Sequence, residues 1–407
     1  MKINSPLLLP CGVKLKNRIA KSSMSENMGD PGHTANAKFG RLYKRWSEGG
    51  AGLLITGNIM VDSSALGEAF NVVIEEGKTD PFLKAWAVSG TLGGNQLWAQ
   101  LNHPGKQSPK FLNKSPVAPS AISLKAPLGK LFHTPRELTE VEIRGLIHRY
   151  SVAAQVAKSC GFTGVQIHGA HGYLVSQFLS PTHNNRKDAW GGNLENRMRF
   201  VLEIYHSIRE KVGKEFPVSI KINSADFQKG GFTEEDSLEV VQRLSRAGMD
   251  LIEISGGTYE TPVMIGSKQK ASTSKREAYF LEYCHKVREV VKTPLMLTGG
   301  FRTLNGMEAA LASGATDVIG LARSMAINPD FPRELLSGNE VVSEVKPLTT
   351  GIKTLDNLAP LEIIWYTQQL HRMGKGLEPD KKMSTKLAML KSFLEMGVEG
   401  IKRVRAK

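Results

Sequence analysis

The sequence predicts an α/β fold: a single (β/α)8 TIM barrel with an N-terminal hairpin and a C-terminal helical extension. Three observations carry this. Eight short β-type runs alternate with helical stretches along the chain. Most of the runs are apolar throughout, as parallel strands buried on both faces must be. No Gly-x-Gly-x-x-Gly follows any of them, which argues against an open dinucleotide-binding sheet. Repeated βα units make a parallel sheet, and eight of them favour closure into a barrel.

In chain order the strands are Ile19–Met24, Gly52–Asn58, Leu97–Asn102, Gly164–Gly169, Pro217–Asn223, Leu251–Ser255, Pro294–Thr298 and Asp317–Leu321. Ahead of the first, Leu9-Pro-Cys-Gly-Val-Lys-Leu15 reads as a short hairpin able to plug the barrel bottom. Pro104 to Pro135 is irregular and rich in Pro, Ser and Lys. Loops this long are usually functional or disordered. It follows the third strand, on the active-site face, and reads as a lid or substrate loop; a plain surface excursion is the alternative.

Thr139-Glu140-Val141-Glu142 is a capping box. Ile143, Leu146, Ile147 and Tyr150 follow at helical spacing, and Gly161 gives a stop. Thr233-Glu234-Glu235-Asp236 opens another helix, with acids at the positive end of the dipole. Leu238, Val241 and Leu244 line one face before Gly248. Asn305 is expected to cap the helix that precedes Gly314. Beyond about residue 345 the pattern changes. Leu361 to Leu370 and Met383 to Leu394 read as helices separated by Gly374, Gly376 and Pro379. The expected organisation is a barrel over 1–345 and an appended helical extension over 346–407.

Composition excludes several classes. No window approaches the roughly 18 apolar residues of a membrane span. The apolar stretch Leu7 to Leu9 is far shorter than a secretory core, so a cytoplasmic location is expected. The three cysteines, Cys11, Cys160 and Cys284, are scattered without a CxxC pair. An iron–sulfur cluster or thiolate zinc is therefore not expected. The net charge of +14 suits solubility and attraction for phosphorylated small molecules. No helix-turn-helix, zinc-finger or RNA-binding signature supports a nucleic-acid partner. Basic residues concentrate after Lys346 and end in Ile401-Lys-Arg-Val-Arg-Ala-Lys407. That tail reads as a packing or oligomer-contact element, compatible with a homo-oligomer; partner binding is the alternative.

Catalytic groups of such barrels sit at the C-terminal strand ends. Those ends carry Ser22-Ser23-Met24-Ser25, Thr56-Gly57-Asn58, Gln100 with His103, and His168-Gly-Ala-His171-Gly-Tyr173. Lys221 and Asn223, Thr298-Gly299-Gly300 and Ala322-Arg323 follow. Gly299 and Gly300 let backbone amides approach a ligand, and Arg323 adds a bidentate charge: a phosphate site, or a plain tight turn. His168-x-x-His171 has three readings. Metal ligation would need a third ligand such as His183, and no carboxylate joins them. The pair can also be structural. In the third reading both rings donate to one substrate oxygen that gains negative charge. Tyr173, with an ordinary phenol pKa near 10, can supply a proton; in isolation a Tyr there is core packing.

These motifs carry a family resemblance. His168-Gly-Ala-His171-Gly-Tyr173-Leu-Val-Ser-Gln-Phe-Leu-Ser-Pro181, continued by Trp190-Gly-Gly-Asn-Leu-Glu195-Asn-Arg197, resembles the signature of the Old Yellow Enzyme family of FMN-dependent oxidoreductases. Leu15-Lys-Asn-Arg-Ile19 and Gln100-Leu-Asn-His-Pro-Gly-Lys106 match as well, and the likeness runs to about residue 340. The resemblance implies FMN as cofactor and NADPH or NADH as hydride donor. It implies that the backbone of Ser22, Ser23, Met24 and Ser25 lies along the flavin. Asn58 stands where the family usually has Ala or Gly beside the ring. Gln100 would bind the pyrimidine edge and Lys221 would face flavin N1 and O2. Gly300, Ala322 and Arg323 match the phosphate site. His168 and His171 would hold the carbonyl oxygen of an α,β-unsaturated substrate, and Tyr173 would protonate its α-carbon after hydride leaves flavin N5.

One branch of the family has Cys at the position of Ser25 and Tyr at that of Asn27; another has Thr at the former. Ser25 can donate a hydrogen bond but cannot act as a redox-sensing thiol. Two alternatives keep other chemistry open: a flavin-dependent dehydrogenase or demethylase of an amine or steroid-like substrate, and a non-flavin phosphate-binding barrel lyase or isomerase.

Overall fold

The computed structural model describes residues 2–77, 80–126, 128–258, 260, 277–352, 356 and 360–405, with side chains described only as far as residue 395. Eight parallel strands close into one barrel in chain order: Ile19–Lys21, Leu53–Met60, Gln96–Asn102, Gly164–Gly169, Val218–Asn223, Leu251–Ser255, Leu295–Thr298 and Val318–Leu321. The last strand pairs with the first, Ile319 opposite Ile19. All eight predicted strands are present, most within two residues of their expected bounds. The first is the exception: it stops at Lys21 instead of Met24. Ser22 still donates its amide to Leu321 O.

The N-terminal hairpin pairs Leu7–Leu8 with Lys14–Leu15. Leu9 and Leu15 pack against Ala20, Leu53, Trp98, Leu251, Met296 and Val318. These are residues of the barrel strands, so the hairpin closes the end opposite the strand C-termini.

Helices surround the barrel for local reasons the sequence announces. Thr139 and Glu142 form the reciprocal capping box that starts Glu140–Ser159. Thr233 caps Glu234–Ala247, and Gly248 ends it in the left-handed region at φ +100°. Phe39, Leu42, Tyr43 and Trp46 recur on one face of Ala37–Glu48 and are buried. Asn305 does not cap the following helix. Thr303 does, its hydroxyl accepting from Gly306 N at 3.0 Å, and Asn305 lies inside Leu304–Ala312. Thr303 wins because the Glu277 carboxylate fixes it, accepting from its hydroxyl at 2.8 Å.

The loop after the third strand is partly built. Val117–Ala118 pairs with Arg136–Glu137, and short 3-10 turns occupy Gly105–Gln107 and Leu128–Leu131. Pro127 of this loop lies outside the described residues. At the C-terminus, Leu361–Gly374 lies against the first helix, and Thr385–Arg405 follows it. Arg41 Nε donates to Gly374 O at 2.7 Å. The side chains of the basic run Ile401 to Lys407 lie outside the described residues. Among the described residues, no helix is long and apolar enough to cross a membrane.

Candidate active site

The strand C-termini carry a connected polar floor. Ser23 Oγ donates to Gln100 Oε1 at 2.7 Å, and Gln100 Nε2 donates to Gln166 Oε1 at 2.8 Å. Gln166 Nε2 donates to Glu253 Oε2 at 2.9 Å. Thr298 Oγ1 donates to Glu253 Oε1 at 2.7 Å and lies 2.8 Å from Ser22 Oγ. Lys221 Nζ is 3.1 Å from Glu253 Oε1. The chain of contacts thus leaves the segment just after the first strand and returns to it through strands three, four, six and seven. Buried polar groups of this kind hold their geometry because each unmade bond would be costly.

A break in strand regularity aims side chains at this floor. The pairing of strands two and three slips between Ile55 and Asn58. Thr56 Oγ1 takes up the slack by accepting from Gln100 N at 2.8 Å, and Asn58 comes to stand opposite Gln100. Among the described residues, Asn58 Oδ1 is buried without a hydrogen-bond partner. Beside it, Glu26 accepts from Gly57 N at 2.7 Å and from the Tyr43 hydroxyl. A side chain at residue 57 would collide with that carboxylate. Ser25 donates to Glu68, whose carboxyl is pushed up by burial. Met24 is partly exposed.

The fourth strand brings together the His and Tyr residues singled out in the sequence. The His168 ring centroid lies 5.2 Å from that of His171 and 4.8 Å from that of Tyr173. Ala170 N donates to His168 Nδ1 at 3.4 Å, which leaves the Nε2–H of that ring as its donor. His171 sits at φ +63°, a conformation held by Asn223 Oδ1 on its amide and by Gln107 Nε2 on its carbonyl. Its Nε2 is 2.9 Å from Ser255 Oγ. His168 stands opposite Lys221 in the strand register, which joins this cluster to the floor. Tyr173 opens the helix Leu174–Leu179. The next turn is locked by the buried Gln177, which donates to Pro104 O and Gly172 O and accepts from Lys106 N.

Burial holds both histidines well below the usual imidazole range; the positive charge of Lys221 adds to this, and for His168 so does its neighbour His171. Both rings are therefore neutral donors near pH 7. His183 does not join them. Its Nδ1 is 2.8 Å from Lys106 Nζ, and among the described residues no group of three His, Cys, Asp or Glu could hold a metal.

These buried histidines also fix an acid-stability window. His103 and His183 are held down to about 4, chiefly by burial. The unfolded chain takes up protons near pH 6.5, while the fold does not until much lower pH. Stability is then fully present above about pH 6.5 and lost as pH falls toward 4. His103 and His183 together should remove up to about 2.7 kcal/mol per pH unit in that window. Urea unfolding at pH 7 and pH 5 measures it; equal midpoints would contradict the neutral assignment.

The seventh and eighth strands end side by side, Thr298 opposite Gly320. Gly299 and Gly300 follow at φ +139° and +85°, where a Cβ is strained. Ala322 precedes the short helix Arg323–Ile327. Arg323 Nη1 donates to Glu362 Oε2 at 2.6 Å, so the C-terminal extension reaches the predicted phosphate site. Sequence reasoning missed Glu253, Gln166, Glu26, Glu68 and Glu362. Only Glu253 left a signal, as an acid inside the apolar strand Leu-Ile-Glu-Ile-Ser.

Residues 3–341 match the family model described as the NADH:flavin oxidoreductase / NADH oxidase family. The chain is 38% identical over 361 residues to the NADH-dependent flavin oxidoreductase iliE of Hypocrea jecorina (strain QM6a), covering 83% of this chain and 89% of that one. It is 31% identical over 329 residues to the NADH oxidase of Thermoanaerobacter brockii, covering 80% of this chain and 49% of that longer protein. Among solved structures, an Old Yellow Enzyme homologue from Zymomonas mobilis superposes with TM-score 0.71 at 24% identity, over 85% of this chain and 95% of that one. That likeness speaks for the fold. The match across nearly all of the barrel, with the polar floor at its mouth, leads to one conclusion: the chain belongs to the NADH:flavin oxidoreductase / NADH oxidase family, and it is an FMN-dependent oxidoreductase reduced by a nicotinamide dinucleotide.

Proposed function

We propose that the chain reduces the activated C=C bond of α,β-unsaturated carbonyl compounds. The observation that carries this reading is the His168–His171–Tyr173 cluster: two neutral rings and a phenol packed edge to face at one strand end. Neutral imidazoles favour a carbonyl oxygen, and a phenol beside them is placed to give a proton.

The residues present fit FMN. Gln100, Ser23 and Lys221 offer the polar edge a pyrimidine ring requires, and the orphaned Asn58 Oδ1 asks for a donor from a ligand. Ser22 to Ser25 would line the ring, and Gly300, Ala322 and Arg323 would hold the phosphate. Bound FMN supplies the two-electron chemistry between the nicotinamide and the β-carbon of the substrate. The protein does the rest. His168 Nε2–H and His171 hold the carbonyl oxygen and draw electron density toward it. Asn223, Gln107 and Ser255 fix the position of His171. The Tyr173 hydroxyl gives its proton to the α-carbon and regains one from solvent.

Turnover of 2-cyclohexenone with deuterated NADH in H2O, and separately with unlabelled NADH in D2O, tests this. Product labelled at the β-carbon from the nicotinamide and at the α-carbon from solvent supports the assignment. Absence of cyclohexanone would defeat it.

Arg323→Ala should weaken FMN binding by roughly 10–100-fold, the worth of a charge-assisted hydrogen bond. Fluorescence titration of the apoprotein measures it, with riboflavin as the control that should not respond.

A further inference from the structure

Glu253 puts a fully buried carboxylate beneath the proposed flavin site, and none of the roles above uses it. Burying a lone carboxylate costs several kcal/mol unless it is paired. Here the pairing is built in. Glu253 and Lys221 are register partners on adjacent strands, so their side chains rise side by side. Oε1 lies 3.1 Å from Lys221 Nζ and accepts from Thr298, while Oε2 accepts from Gln166. Side chains from the fourth and seventh strands therefore hold the acid against the lysine of the fifth.

Lys221 by itself would present an uncompensated positive charge to bound FMN. Full reduction adds negative charge at the pyrimidine edge, and such a lysine would favour it. A carboxylate 3.1 Å from that ammonium cancels much of the field, the more so in a poorly solvated floor.

We propose that Glu253 is a positioning and charge-balancing residue: it holds Lys221 in place and keeps the two-electron potential of bound FMN lower than an unpaired lysine would. The consequence for turnover is a stronger hydride donor. The inference rests on the FMN site and is independent of the enone assignment.

The test is the midpoint potential of the holoenzyme, read by anaerobic equilibration with a reference dye at fixed pH. Glu253→Gln removes the charge and keeps the volume. The equilibrium constant for two-electron reduction should rise about tenfold or more, a positive shift of about 30 mV. Glu253→Asp keeps the charge and should leave the potential near the native value. Should Glu253→Gln fail to fold, Lys221→Met and Lys221→Met/Glu253→Gln are compared instead, and the double variant should have the higher potential. An unchanged or lowered potential on loss of the acid overturns the proposal, as does an equal rise in Glu253→Asp. Lack of turnover with enones would leave the predicted shift intact, so the two readings fail separately.

Discussion

Replacing Tyr173 by Phe should slow the enone half of turnover by roughly 10²–10⁴, the usual worth of a positioned general acid. Reduction by NADH should keep its rate, because the nicotinamide half needs no proton from this residue. The ring itself is buried against His168, so Phe retains the packing and the test isolates the hydroxyl. Stopped-flow measurement of each half-reaction separates them. An enone half-reaction at the native rate would remove Tyr173 from the mechanism.

Replacing His168 by Ala should cost roughly 10²–10³ in the same half-reaction, as expected for loss of one donor to a developing oxyanion. Affinity for a phenol ligand should fall with it, because the same donor would hold the phenolic oxygen. The two variants differ in a diagnostic way: His168→Ala loses binding and rate, whereas Tyr173→Phe loses rate alone. His168→Gln offers a donor of similar reach and should restore part of the affinity. Equal phenol affinity in native and His168→Ala protein would contradict the donor role.

What the sequence made legible was local or repetitive. The capping box at Thr139, the cap at Thr233 and the stop at Gly248 depend on residues within one turn of each other. The barrel strands show because apolar runs buried on both faces need no partner to be recognised. The hairpin plug at Leu9 and Leu15 belongs to the same class. Non-local contacts stayed hidden. Thr303 displaces Asn305 as cap through Glu277, twenty-six residues away. The first strand ends at Lys21 because side-chain bonds from Ser23 to Gln100 and from Ser25 to Glu68 replace ladder bonds. Period and propensity do not register such exchanges.

The site follows the same division. The His168, His171 and Tyr173 cluster lies within six residues of chain, and its grouping could be read directly. The floor could be read only as separate polar strand ends. Its continuity depends on Gln166 and Glu253, which sit inside buried strands and have no motif around them. The Glu362 contact to Arg323 joins residues 39 apart and comes from the C-terminal extension, where no catalytic reading pointed.

Enone reduction is tested most directly by anaerobic mixing of the NADH-reduced enzyme with 2-cyclohexenone, and of the oxidised enzyme with trimethylamine, each followed in the visible flavin bands. The enone should restore the oxidised spectrum with one cyclohexanone formed per flavin, and the amine should leave the oxidised spectrum unchanged. Reduction of the flavin by the amine, with the enone leaving the reduced enzyme as it was, would contradict enone reduction.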